Sequence, residues 1–175
     1  MKRIYTLIIL LSLFNISLLA QNEKEVPDIV TDRPDQTESA AIVPLNMLQI
    51  ETGFVYEGDE TDRTEITNTT FNSTLLRYGI FKSTEVRVGI EYLDETMKMK
   101  PTRTETSASG FSPLYTGVKV KMVEERGMIP EMAILGSLTW PATANKDLKH
   151  SHVAPGMRLA FAHTLSDRLS LGYNL

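Results

Sequence analysis

Between Glu85 and Tyr92 every even position is apolar and every odd position is polar or glycine. A period of two gives a strand with one greasy face and one wet face. The preceding segment keeps the same parity, with Thr74, Leu76, Tyr78 and Ile80 on even positions. Opposed residues of an antiparallel pair share a face, so here they must share parity. That requires a connection of odd length, met by Phe81, Lys82 and Ser83 with Ile80 opposite Thr84.

The hairpin recurs along the chain. Alternation over 47–57, 73–80, 84–93, 110–123, 130–140, 153–165 and 169–175 predicts seven strands, with no helical period among them. Polar stretches 58–72, 94–109 and 141–152 read as long loops, and the connections between them are short.

The first 20 residues predict a secretory signal peptide. Lys2 and Arg3 precede an apolar run over 4–19, and Ala20 before Gln21 offers a cleavage point. Residues 21–46 are polar and carry three prolines, which predicts an extended periplasmic arm without regular structure. The barrel domain is expected over 47–175. Cysteine is absent, which excludes disulfides and thiolate metal sites. A net charge of −4 without a basic cluster argues against nucleic acid as a partner.

Alternation alone fits a secreted β-sandwich or a membrane barrel. Three features favour the barrel. Long and short connections alternate, as in outer-membrane barrels. Tyr56, Tyr92 and Trp140 end strands that lead into long loops, where an interfacial girdle belongs. Gly53, Gly79, Gly89, Gly117, Gly156 and Gly172 fall on the polar face, where small residues let strands curve. The expected fold is an all-β, antiparallel, up-and-down transmembrane β-barrel. Seven strands are odd and the last ends at Leu175, so a fragment of a longer barrel or a truncated gene is expected.

The polar faces then line a lumen. Candidates there are Glu51, Arg77, Glu85, Arg87, Glu91, Tyr115, Lys119, Lys121, Glu131 and Arg158, with Phe111 and Leu135 as apolar footholds. Acids and bases nearly balance, which predicts cross-strand ion pairs rather than a selective ring of one sign. In the arm, TDRPDQTES carries Asp32, Arg33 and Asp35. These can pair with barrel residues and gate the periplasmic mouth; Ca²⁺-loop spacing is missing. His150 and His152 make a weak metal motif and lack a serine partner, so neither metal, cofactor nor enzymatic activity is expected.

TDRPDQTES, LQIETGFVYE, TLLRYGIF, VRVGIEY, GFSPLYTGVK and LSLGYNL, in this order, resemble a bacterial outer-membrane transporter family. This is the MetA-pathway of phenol degradation family, especially its Bacteroidetes members, and the likeness runs over 29–175. The resemblance implies an outer-membrane barrel with a transport role and assigns no catalytic or binding residue. The expected function is passive passage of small, aromatic or hydrophobic solutes. Expected partners are outer-membrane lipid, the solute and the barrel assembly machinery; oligomeric state is left open. A structural or surface-binding barrel and a secreted sandwich are the alternatives.

Overall fold

A computed structural model describes residues 28–32 and 37–175. The expected signal peptide, Arg33 and Asp35 lie outside the described residues. Eight strands form: β1 Leu48–Glu60, β2 Thr64–Phe81, β3 Thr84–Met99, β4 Thr104–Phe111, β5 Leu114–Val123, β6 Glu131–Trp140, β7 Ala154–Ser166 and β8 Leu169–Asn174. Two short 3-10 turns, Pro141–Thr143 and Lys146–Leu148, lie between β6 and β7. All ladders are antiparallel, and the order is β1-β2-β3-β5-β6-β7-β8, with β4 also on β3. The result is one curved sheet, half of a barrel. Among the described residues no ladder joins β1 to β8.

The eighth strand corrects the expected seven. Residues 58–72 and 94–109 are mostly strand, not loop, and Thr61, Asp62 and Arg63 alone connect β1 to β2. Their polarity suggested loop, but Thr64, Thr67, Thr69 and Thr70 are β-branched and suit a strand. The two hairpins therefore extend beyond the apolar part of the sheet. The segment expected as one strand over 110–123 is broken at Ser112 and Pro113. β4 continues upward along β3 above the break, and β5 pairs with β3 below it.

Two irregularities exchange the parity of the faces. Asn72 adopts a φ of 49°, and the β2–β3 register shifts between Phe71 and Thr74. Above that bulge Phe71, not an even-numbered residue, shares the outer face with Tyr92. The break at Ser112 and Pro113 does the same for Phe111, which stands opposite Tyr92 and is exposed. Phe111 is thus not an inward foothold. Tyr56 and Tyr92 also lie within their strands rather than at the ends; Trp140 does end β6. The aromatic row that results is Phe54, Phe71, Tyr92 and Phe111, edge to face, with centroids 5.5, 6.5 and 5.5 Å apart.

The hairpin of β2 and β3 keeps the expected parity in its body, with Leu76 opposite Val88 and Tyr78 opposite Val86. Its tip differs. Phe81 pairs with Thr84, and Ile80 is absorbed in a bulge, so the turn tightens to Lys82 and Ser83.

Polarity is inverted relative to a water-soluble domain. Leu48, Ile50, Phe54, Ile90, Val118, Met157 and Leu171 are exposed on the convex face. The largest fully buried side chains are Arg77, Arg87, Lys119 and Glu85, each at most 1% exposed on the concave face. A small apolar cluster of Ala40, Ala133 and Ala160 sits beside them. A sandwich would bury its apolar faces between two sheets; here the described strands make one sheet with its charges inside.

Residues 28–32 and 37–46 run along the concave side without a regular element, as expected for the arm. The arm joins β2 at Gly79, whose N–H donates to Met47 O at 3.1 Å and whose carbonyl accepts from Asn46 N–H at 2.8 Å. A Cβ on Gly79 would overlap the carbonyl oxygens of Val43 and Pro44. Gly79→Ala is therefore expected to push the arm off β2 at a cost of about 1–3 kcal/mol. Limited proteolysis within 37–46 should accelerate while the far-ultraviolet spectrum of the sheet is unchanged.

Candidate functional site: an arm carboxylate held by three buried cations

Inner-face positions of three neighbouring strands bring the charges together. Arg77 of β2 stands directly opposite Arg87 of β3, and Glu85 of β3 stands opposite Lys119 of β5. Two arginines face to face repel unless acids lie between them. Glu85 supplies one: its Oε1 accepts from Arg77 Nε at 2.9 Å and its Oε2 from Arg77 Nη2 at 3.0 Å. Glu51 of β1 supplies another, 2.9 Å from Arg77 Nη1.

Asp32 of the arm completes the set. Its Oδ2 lies 2.7 Å from Lys119 Nζ, 2.8 Å from Arg87 Nη2 and 3.3 Å from Arg77 Nη1. Three cations on three strands thus converge on one oxygen. Oδ1 accepts the Ser39 N–H at 2.8 Å, and the Asp32 N–H donates to Glu51 Oε2 at 3.0 Å. Both ends of the residue are therefore fixed. Glu38 adds a bond from Arg87 Nη1 at 2.6 Å and stands 3.6 Å from Arg158.

The arm contributes backbone as well. Arg77 donates to the carbonyls of Val30 and Ala41, and Lys119 to those of Ser39 and Ala41. The Val43 N–H donates to Glu85 Oε2 at 2.6 Å. At the far side of the sheet, Asn174 of β8 accepts the Glu38 N–H at 2.7 Å and donates to its carbonyl at 2.9 Å.

Of the candidates read from the sequence, Asp32, Glu51, Arg77, Glu85, Arg87 and Lys119 meet in this cluster. Arg158 stands at its margin, with its side chain 44% exposed. Lys121 and Glu131 form a separate pair at 2.6 Å nearer the β5–β6 turn. Glu91 lies further up the concave face and accepts from Ser73 Oγ at 2.6 Å. Tyr115 lies above the cluster, against Gly89. Among the described residues no group of three His, Asp or Glu side chains could hold a metal ion. Sequence reading missed Asn174 and the arm carbonyls, because alternation reveals a face but not a distant partner. One signal was present: the register read from the sequence already opposes Arg77 to Arg87.

Above the cluster lies a cavity of about 700 Å³. Asp32, Glu38 and Arg87 form its floor, Leu75, Leu93 and Tyr115 line its walls, and Lys149 and His150 lie at its upper rim.

Burial works to raise the Asp32 pKa, but Lys119, Arg77 and Arg87 outweigh it and hold it at about 2, below the ordinary 3.8. A depressed folded-state pKa stabilises above the unfolded value and loses that contribution as pH falls through the folded one. The contribution of Asp32 to docking of the arm should therefore be complete above pH 3.8 and lost as pH falls through about 2. A spin label at Thr37→Cys, an exposed position in a chain without cysteine, should report the release as increased mobility. Asp32→Asn leaves three buried cations short of an acid and should cost about 3–5 kcal/mol in denaturant unfolding.

A search of curated proteins returned no match to the chain. The family model described as "Putative MetA-pathway of phenol degradation" matches residues 31–175, from the arm through β8. The chain belongs to that family.

Proposed function

We propose that the protein is an outer-membrane pore for small solutes, exported by its signal peptide, with its own arm lying in the lumen. The inverted polarity of the sheet carries the reading. An apolar convex face suits lipid, and a concave face of paired charges suits a lumen that holds polar groups. β5 and β6 have ten residues each, which at ~3.4 Å per residue and ~45° tilt gives a height of ~24 Å, close to the ~25 Å apolar band of such barrels.

The aromatic row supports the same orientation. On the outer face above it stand Thr69, Asp94 and Ser109, paired across β2, β3 and β4. Apolar residues give way to polar ones at Phe71, Tyr92 and Phe111, as at a membrane interface. The mechanism is passive: a solute enters the upper cavity and passes when the arm yields. Aromatic or hydrophobic solutes fit the Leu75, Leu93 and Tyr115 walls and the phenol pathway named in the family description. Assembly machinery would insert the chain, and the protein acts as a conduit rather than an enzyme.

Planar-bilayer conductance of the purified full-length protein tests the reading. Discrete steps are expected; stable insertion with no current would favour a structural or surface-binding barrel, and a soluble folded product would overturn the membrane assignment. A paired substitution tests the faces. Val88→Arg or Leu171→Arg should cost about 2–4 kcal/mol in lipid, whereas Ser170→Arg on the concave side should be close to neutral. Equal cost for both would sink the face assignment.

A further inference from the structure

We propose that the Arg77, Arg87 and Lys119 cluster is an anion site for a small aromatic carboxylate, filled here by Asp32 of the chain's own arm. The inference rests on the pore reading and names the solute class and the trigger for passage. The Asp32 carboxylate is an arm group, not part of the sheet. Three cations from β2, β3 and β5 point at its Oδ2 within 3.3 Å. That geometry recognises a carboxylate as such, whichever molecule carries it.

The charges of the site show what must replace it. The strand acids within the cluster are Glu51 and Glu85, against the strand cations Arg77, Arg87 and Lys119. Glu38 of the arm also pairs with Arg87, so when the arm segment carrying both Asp32 and Glu38 leaves with nothing in its place, three cations face two acids and a buried positive charge is left uncompensated, which is costly in a low-dielectric interior. When a solute carboxylate takes the place of Asp32, it joins Glu51 and Glu85 and three acids again face the three cations. The arm is therefore expected to yield to anions and to resist neutral solutes. Arg87 has donor capacity in reserve: its buried Nε makes no hydrogen bond and lies 3.5 Å from Glu85 Oε1.

Access and shape favour an aromatic carrier. The cavity reaches Asp32 and Arg87 from above, and its walls carry Tyr115, Leu75 and Leu93 within a volume of about 700 Å³. A ring can rest on these side chains while its carboxylate meets the cations below. Glu91, Glu95 and Asp147 also line the space. Selectivity for an anion therefore arises at the floor, not from attraction at the mouth.

Benzoate, benzyl alcohol and benzylamine carry one ring and three charges. Each is titrated at constant ionic strength into full-length protein in detergent, with the spin label at Thr37→Cys reporting arm mobility. Benzoate alone should mobilise the label in a saturable manner. Equal responses to all three, a response to benzylamine, or no response to benzoate would overturn the proposal. Asp32→Asn weakens the tethered competitor and should lower the half-saturating benzoate concentration, measured by calorimetry, about tenfold. If that variant does not fold, the titration of the labelled protein still decides the matter. The detergent readout is independent of current. Conductance with an arm indifferent to benzoate would sink the anion site and leave the pore; benzoate-driven release without conductance would do the reverse.

Discussion

The contact between Asp32 and its three cations is what the interior of this sheet depends on. Arg77, Arg87 and Lys119 come from three adjacent strands, and side chains of like charge so close together would drive those strands apart. Removing such groups from water is expensive, and only short, well-directed bonds offset it. Glu85 and Glu51 offset part, and the arm supplies the rest through the carboxylates of Asp32 and Glu38 and the carbonyls of Val30, Ser39 and Ala41. The arm is thus a component of the folded interior although it adds no strand to the sheet.

The outer face obeys the opposite requirement. Its residues need no partners from within the chain, so they could be legible from a period of two. The parity of β2 and β3, the opposition of Leu76 to Val88 and the exposure of the even-numbered residues followed from the sequence. Where alternation is interrupted, sequence reading lost the face. Asn72 with its left-handed φ and the Ser112–Pro113 break each shift the pattern by one residue, and Phe71 and Phe111 moved outward with it.

Polarity misled in the extended hairpins for a related reason. Beyond the apolar part of the sheet the strands are polar on both faces, keep β-branched threonines and lose alternation. Thr64 to Thr70 reads as loop by hydropathy and as strand by backbone preference, and the ladder with β3 decides for strand. The site was legible as a set of inward charges, since Glu51, Arg77, Glu85, Arg87 and Lys119 all lie on the predicted face. Its assembly was not. The contacts of Asp32 with Lys119 and of Glu38 with Asn174 join residues 87 and 136 positions apart and leave no local pattern.

The tie between Glu38 and Asn174 has a mechanical side. The arm is bonded to Glu51 on β1 and to Asn174 on β8, the first and last strands of the sheet. The bond from the Ser39 N–H to Asp32 Oδ1 joins the two attachments, so β1 and β8 are linked through the arm. The separation of β1 and β8 is then held by these hydrogen bonds as well as by strand twist. Breaking any one of these bonds would leave the curvature of the sheet to strand twist alone.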